Sequence, residues 1–135
     1  MSGSRGRVGR IRQQHEREIL QAAEHVFARR GFQGATMAEI ALRAGMPKSN
    51  LHYYFGTKVE VYRAVLAHIL DLWLAETDRF TPDADPREAL SHYIEAKMRL
   101  TAERPDASRV FANELLHGAP ELGDYLRGAL RALVA

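Results

Sequence analysis

The sequence predicts an all-α fold in two parts, a three-helix head that contains a helix-turn-helix and a second helical layer after it. Three observations predict this. Apolar residues recur at the 3.6-residue helical period in each long segment, and no period-two alternation is found anywhere in the 135 residues. Thr36 with Glu39, and Thr57 with Glu60, have the spacing of N-terminal capping boxes. Gly31, Gly45, Gly56, Pro105 and Gly118 fall where helices of ordinary length should stop. No internal repeat is present.

The elements follow in order. Residues 1–11 are Gly, Ser and Arg with little apolar content, and are expected to be a disordered basic arm. A first helix is expected from Arg12 to Arg30, with Ile19, Ala22, Ala23, Val26 and Phe27 inward and Gly31 at its C-terminal cap. Thr36 opens a short second helix that turns Met37, Ile40, Ala41 and Ala44 inward and ends at Gly45. A third begins at Pro47, near the first turn, where a missing N–H costs little. Two short helices joined by a Gly-containing turn are the helix-turn-helix signature.

Thr57 caps a long fourth helix, expected from Lys58 to Arg79. Its apolar residues cover more than one face, so it should be buried on two sides. TPDADP (81–86) is a loop. A fifth helix, Arg87 to Glu103, carries Leu90, Tyr93, Ile94, Met98 and Thr101 on one stripe. Pro105 breaks it. A sixth runs from Ala107 to His117, and Pro120 starts a seventh with Leu122, Leu126, Leu130 and Leu133.

Charge divides the chain unevenly. Residues 1–60 hold ten Lys/Arg against five Asp/Glu, net +5, and residues 61–135 hold nine against twelve, net −3. A basic first part joined to an acidic remainder points to a polyanion partner for the first part alone. There are no cysteines, which excludes disulfides and thiolate metal sites. No apolar run is long enough to span a bilayer. His15-Glu16 begins like a zinc-protease motif, but the position four after His15 is Ile19, so no metal site is expected. No catalytic constellation and no Gly-rich phosphate loop is present, and no cofactor is expected.

The stretch KSNLHYYFGTK (48–58) places one histidine and three aromatic residues side by side. No helix hides four consecutive large side chains on one face. Leu51 and Phe55, four apart, share the inward face. Lys48, Ser49, Asn50, His52 and Tyr53 lie opposite, with Tyr54 at the edge. Donors, a cation and flat rings on an exposed helix suit the DNA major groove. Lys58 and Thr36, each at a helix N-terminus, are placed to meet phosphates. A surface helix with stray aromatics is the plainer alternative.

Residues 12–72 resemble the N-terminal domain of TetR-family transcriptional regulators. Phe27, Gly31, Phe32, Thr36, Ile40, Ala41, Ala44, Gly45, Leu51, Tyr54, Phe55, Lys58 and Tyr62 carry the resemblance. It implies a DNA-binding domain over residues 12–57 and a ligand-binding and dimerisation domain over 58–135. It also implies that Lys48–Phe55 is the recognition helix, with Thr36, Lys48, Ser49, Asn50, His52, Tyr53, Tyr54 and Lys58 as DNA contacts. His52 departs from the usual tyrosine, and Pro47 from the common capping serine.

The stretches YRAVLAHILDLWLA (62–75) and ASRVFANELLHGAP (107–120) are similar to pyrimidine-responsive members of that family. The similarity implies a small effector such as uracil. Trp73 would stack on it, with Asn113, Glu114 and His117 as polar partners. Core packing for Trp73 and helix capping for the other three are the alternatives. The implied protein is a cytoplasmic homodimer that binds near-palindromic double-stranded DNA and represses transcription under ligand control. A helical protein-interaction module that has lost DNA binding is the competing reading. RALVA ends the sequence inside an apolar pattern, where Leu130, Leu133 and Val134 look for partners; the C-terminal part of the regulatory domain is therefore expected to be missing.

Overall fold

The computed structural model describes residues 2–75, 81–124 and 127, with side chains from residue 9 onward. Every regular element among them is helical. In chain order these are α1 (Ser2–Gly34), α2 (Met37–Ala44), α3 (Lys48–Tyr54), α4 (Lys58–Leu74), α5 (Pro86–Glu103) and α6 (Pro105–Leu116), with a further helical stretch at 120–124. Leu126, Leu130, Leu133 and Val134, and the expected last turn of α4 up to Arg79, lie outside the described residues. The chain divides into two compact units, Met1–Val65 and Leu66–Ala135. That division falls inside α4, whereas the sequence places the boundary at the cap before it.

In the first unit, α1 buries Ile19, Ala22, Ala23, Val26, Phe27 and Ala28, the stripe its period predicts. Gly31 interrupts α1 with φ 73 and ψ 172, a backbone conformation that costs a β-carbon-bearing residue more than glycine. The chain turns there, and Phe32 comes back onto Phe27 and Tyr62. The three ring centroids lie 4.9 to 6.2 Å apart, within the range of favourable aromatic pairs. Ile40 and Ala41 of α2, Leu51 of α3, and Val61 and Val65 of α4 complete this core.

Helical backbone begins at Ser2, not at Arg12. The sequence alone leads to the expectation of a disordered arm over residues 1–11. Nucleation is the costly step of helix formation, and a helix already fixed by the core from Ile19 onward extends backward by propagation alone.

The caps form largely as their spacing requires. Thr36 Oγ1 accepts from Glu39 N–H at 3.1 Å, while the Glu39 carboxylate pairs with Arg30 Nε at 3.2 Å. Thr57 Oγ1 accepts from Glu60 N–H at 3.3 Å, and Glu60 Oε2 accepts from Gly56 N–H at 2.8 Å. Gly45 is left-handed (φ 73, ψ 33), its N–H reaches Leu42 O, and Met46 N–H reaches Ala41 O. That pair of bonds is a Schellman motif.

In the second unit, Leu66, Ile69 and Leu70 of α4, Ala107 and Val110 of α6, and Leu122 are buried. α5 departs from expectation. Its buried residues are Ala89 and Ala96, whereas Leu90, Ile94 and Met98 are exposed, Met98 by 68%. The helix is apolar on two sides, and the side with alanines allows closer backbone approach than the side with long chains. Pro105 does more than break α5: it is the first residue of α6, a position that tolerates proline.

Candidate nucleic-acid interface

The α2–turn–α3 unit presents one side of α3 to solvent. Leu51 is 0% exposed and anchors the helix, with Phe55 half-buried after it. Lys48, Ser49, Asn50, His52 and Tyr53 are all exposed, Tyr53 by 73%, and Tyr54 is half-buried. The sequence-derived set is thus brought to one helix face, as the spacing of Leu51 and Phe55 requires. Thr36 is exposed at the N-terminus of α2, with its hydroxyl used in the cap.

Two of these residues are engaged in ways the sequence does not disclose. His52 Nδ1 lies 3.2 Å from Gly56 O. A carbonyl only accepts, so Nδ1 carries the proton, and in the neutral ring Nε2 is left as an acceptor. Lys58 Nζ donates to Phe32 O at 2.7 Å and Ala35 O at 3.1 Å, with Gln33 O at 3.5 Å, and sits 4.5 Å from the centre of the Phe32 ring. An ammonium has three protons. Here they are directed at the carbonyls that end α1 and precede α2, and not outward.

Two residues of α1 join the site without having been singled out for it. His15 Nδ1 is 2.8 Å from the Tyr54 hydroxyl, and the two rings meet edge to face at 5.8 Å. The Arg12 guanidinium lies 5.8 Å from the Tyr53 ring centre and 5.7 Å from that of Tyr54, within cation–π reach of both. Glu16 Oε1 holds Arg12 Nε at 3.3 Å. Tyr53 and Tyr54 themselves meet at 5.3 Å and 90°. The one available signal was the i, i+3 spacing of Arg12 and His15, which puts them on one face of α1.

Two family patterns match adjoining parts of the chain. The pattern for bacterial regulatory proteins of the tetR family covers residues 19–65, and that for the C-terminal region of YcdC-like proteins covers residues 66–135. The chain belongs to the TetR family. The patterns meet at the residue pair that separates the two compact units. The HTH-type transcriptional regulator RutR of Escherichia coli K12 is 43% identical over 129 residues, 96% of this chain and 61% of that relative. The HTH-type transcriptional repressor NicS of Pseudomonas putida is 31% identical over 100 residues, 73% of this chain and 47% of the relative. The chain therefore spans about three fifths of the length of the RutR regulators it matches.

Solved structures agree with the fold. A TetR family regulator from Marinobacter aquaeolei VT8 superposes with a TM-score of 0.75 at 26% identity, over 93% of this chain and 68% of that one. A TetR-like regulator from Rhodococcus sp. RHA1 gives 0.73 at 27% identity, over 87% and 64%.

The four residues singled out for an effector each have a defined local setting. Trp73 meets Phe111 edge-on at 4.5 Å and lines, with Tyr93, Lys97 and Leu100, a cavity of about 10 Å³. That is room for about one water. Glu114 is 3% exposed, and its Oε2 accepts from both Glu121 N–H and Leu122 N–H at 2.8 Å, so it caps the helical stretch at 120–124. His117 is exposed and its Nδ1 turns to Asn113 O at 2.6 Å, while Asn113 is half-buried. A larger open cleft of about 330 Å³ is lined by His68, Asp71, Leu72, Ala75, Arg99 and Leu100. Leu100 borders both spaces. Among the described residues no helix is long and apolar enough to cross a membrane, and no three potential metal ligands cluster.

Proposed function

We propose that the first unit is the DNA-reading head of a ligand-controlled transcriptional repressor that acts in the cytoplasm. The observation that carries this reading is the face of α3. Lys48, Ser49, Asn50, His52 and Tyr53 are exposed together on a helix whose Leu51 is wholly buried. A cation, an amide, hydroxyls and an aromatic ring on one helix match what the major groove offers: phosphates at its edge, base acceptors and donors, and the thymine methyl on its floor. Lys48 supplies charge to the backbone, Asn50 a bidentate amide, and Tyr53 a flat apolar surface with a hydroxyl. Residues 12–57 are the domain that does this. Two copies of the protein would place two such helices on a near-palindromic site about one helical turn apart.

The helical region from residue 58 onward binds the effector and the partner copy. Trp73, with Leu100 beside it, borders the approach to the effector site, and the sequence resemblance points to a flat pyrimidine such as uracil. Asn113, Glu114 and His117 are the polar residues of that site, and Glu114 also caps the helical stretch at 120–124. An effector that prefers one conformation of the unit lowers DNA affinity by linkage, by no more than its own preference between the two states.

Fluorescence anisotropy tests the reading. A duplex selected from a randomised pool by the wild-type chain is compared with a scrambled duplex of equal length, each across a salt series. The expected result is preference for the selected duplex and a log–log salt slope that reports several phosphate contacts. A chain that binds neither duplex is an interaction module and no DNA reader. Uracil added to the complex should quench Trp73 emission and release the duplex.

A further inference from the structure

α3 is a seven-residue helix with a single buried residue and no side-chain cap at its N-terminus. Seven residues cannot hold a helix in water by themselves. Leu51 fixes where α3 sits, but a single anchor leaves rotation about that point and the rotamers of the exposed rings to be set by something else.

That something is on α1. His15 is half-buried one turn before Ile19, where the core begins. Its Nδ1 meets the Tyr54 hydroxyl at 2.8 Å across 39 residues of sequence. The edge-to-face approach of the rings at 5.8 Å and 89° fixes the plane of Tyr54 as well as its position. Tyr54 in turn is the wall against which Tyr53 stands, at 5.3 Å and 90°. Arg12, one turn before His15 and held by Glu16, closes over both rings.

We infer that His15 is a positioning residue for sequence reading: through Tyr54 it sets the pose of Tyr53 on α3, and so governs discrimination between DNA sequences. The inference rests on the DNA-reading function proposed above. His15 would touch no base. It acts by removing alternatives. Without the hydroxyl contact, Tyr54 can leave its staggered well, and the exposed ring of Tyr53 loses its wall. A contact to one base pair then blurs, while the phosphate contacts made by Lys48 and the helix ends persist.

The test is a double-mutant cycle on the 135-residue chain with His15→Ala, Tyr54→Phe and the pair. The probes are the duplex selected by the wild-type chain and a scrambled duplex of equal length. Each single change should lower the selected-to-scrambled affinity ratio about five- to tenfold, the order of one side-chain hydrogen bond. The pair should lower it no further than the worse single change, because both remove one interaction. For His15→Ala, which removes no DNA contact, affinity for the scrambled duplex and the salt slope should stay unchanged.

Two further readouts separate positioning from folding. Tyr54→Phe keeps the ring and deletes only the hydroxyl, and in the absence of DNA it should shift the His15 imidazole resonances. His15→Asn places an amide near the position of Nδ1 and should recover most of the ratio. A wild-type chain that discriminates while the variants discriminate equally well overturns the inference and leaves the proposed function intact. Losses that multiply in the double variant overturn it too. A wild-type chain that prefers no duplex overturns the proposed function, and this inference with it.

Discussion

The two helices of the helix-turn-helix are held by different means. α2 is fixed locally. Thr36 caps its start, Gly45 closes its end through a Schellman motif, and Ile40 and Ala41 are buried between. α3 has Pro47 at its start with no side-chain cap, and one buried residue, Leu51. Its other fixed point, Tyr54, is held by His15 from 39 residues away. The scaffold helix is written in its own sequence. On the proposed function, α3 leaves its outer face free for DNA, and its constraints come from elsewhere in the chain.

This contrast predicts that the strongest single perturbation of α3 is at its anchor. Leu51→Ala removes a fully buried side chain and leaves a cavity. The expected cost is about 2–5 kcal/mol in urea denaturation. Selective loss of duplex discrimination should accompany it even where the rest of the head stays folded. A loss below 1 kcal/mol would mean that α3 has other anchors, and the contrast with α2 would fail.

Lys58 sharpens the comparison next. Its ammonium binds the carbonyls of Phe32 and Ala35, where α1 ends and before α2 begins. Lys58→Met keeps the aliphatic stem and leaves those carbonyls without their charged donor. A cost of about 1–3 kcal/mol is expected in chemical denaturation. The salt slope of DNA binding decides its second role. A slope lowered by about 1 places Lys58 on a phosphate in the complex, and an unchanged slope keeps it as an internal latch.

What could be read from the sequence follows the same division. The bounds of α2 and α3, the inward set Ile19, Val26, Phe27, Ile40 and Leu51, and the outward face of α3 were legible, because caps and periods act over three or four residues. The His15–Tyr54 and Lys58–Phe32 contacts were not. They join residues 39 and 26 apart, and no local spacing encodes them. Lys58 carries a charge that fits a phosphate or a carbonyl equally well, and a long flexible stem does not say which it reaches. α5 fails differently. Leu90, Ile94 and Met98 form as good a stripe as Ala89 and Ala96, and periodicity cannot rank two apolar faces by how closely a neighbour can approach.

At the local end of the comparison, Thr36→Ala deletes the side-chain cap of α2 and frees Glu39 N–H. About 1 kcal/mol is expected by thermal or urea denaturation, the usual cost of such a cap. DNA discrimination should be almost untouched, since α2 keeps Ile40, Ala41 and the Gly45 closure. A large change in discrimination at small cost in stability would show that Thr36 meets the DNA itself, and that its role in the cap is secondary.

The smallest expected effect comes from giving α3 what α2 already has. Pro47→Ser supplies a side-chain oxygen that can accept from the N–H of Asn50, which now bonds only to the Pro47 carbonyl at 3.0 Å. A serine cap contributes about 1 kcal/mol. Proline at φ −62 already matches its own preferred geometry, and replacing it returns freedom to the unfolded chain that costs about 0.4–1 kcal/mol. The two terms oppose each other at similar size. Denaturation of the variant should therefore shift by less than about 0.5 kcal/mol, with discrimination between duplexes unchanged. A gain well above 1 kcal/mol would mean that α3 is limited by its own N-terminus. Its stability would then be a local matter after all, as in α2, and the distant contacts from α1 would matter for its pose alone.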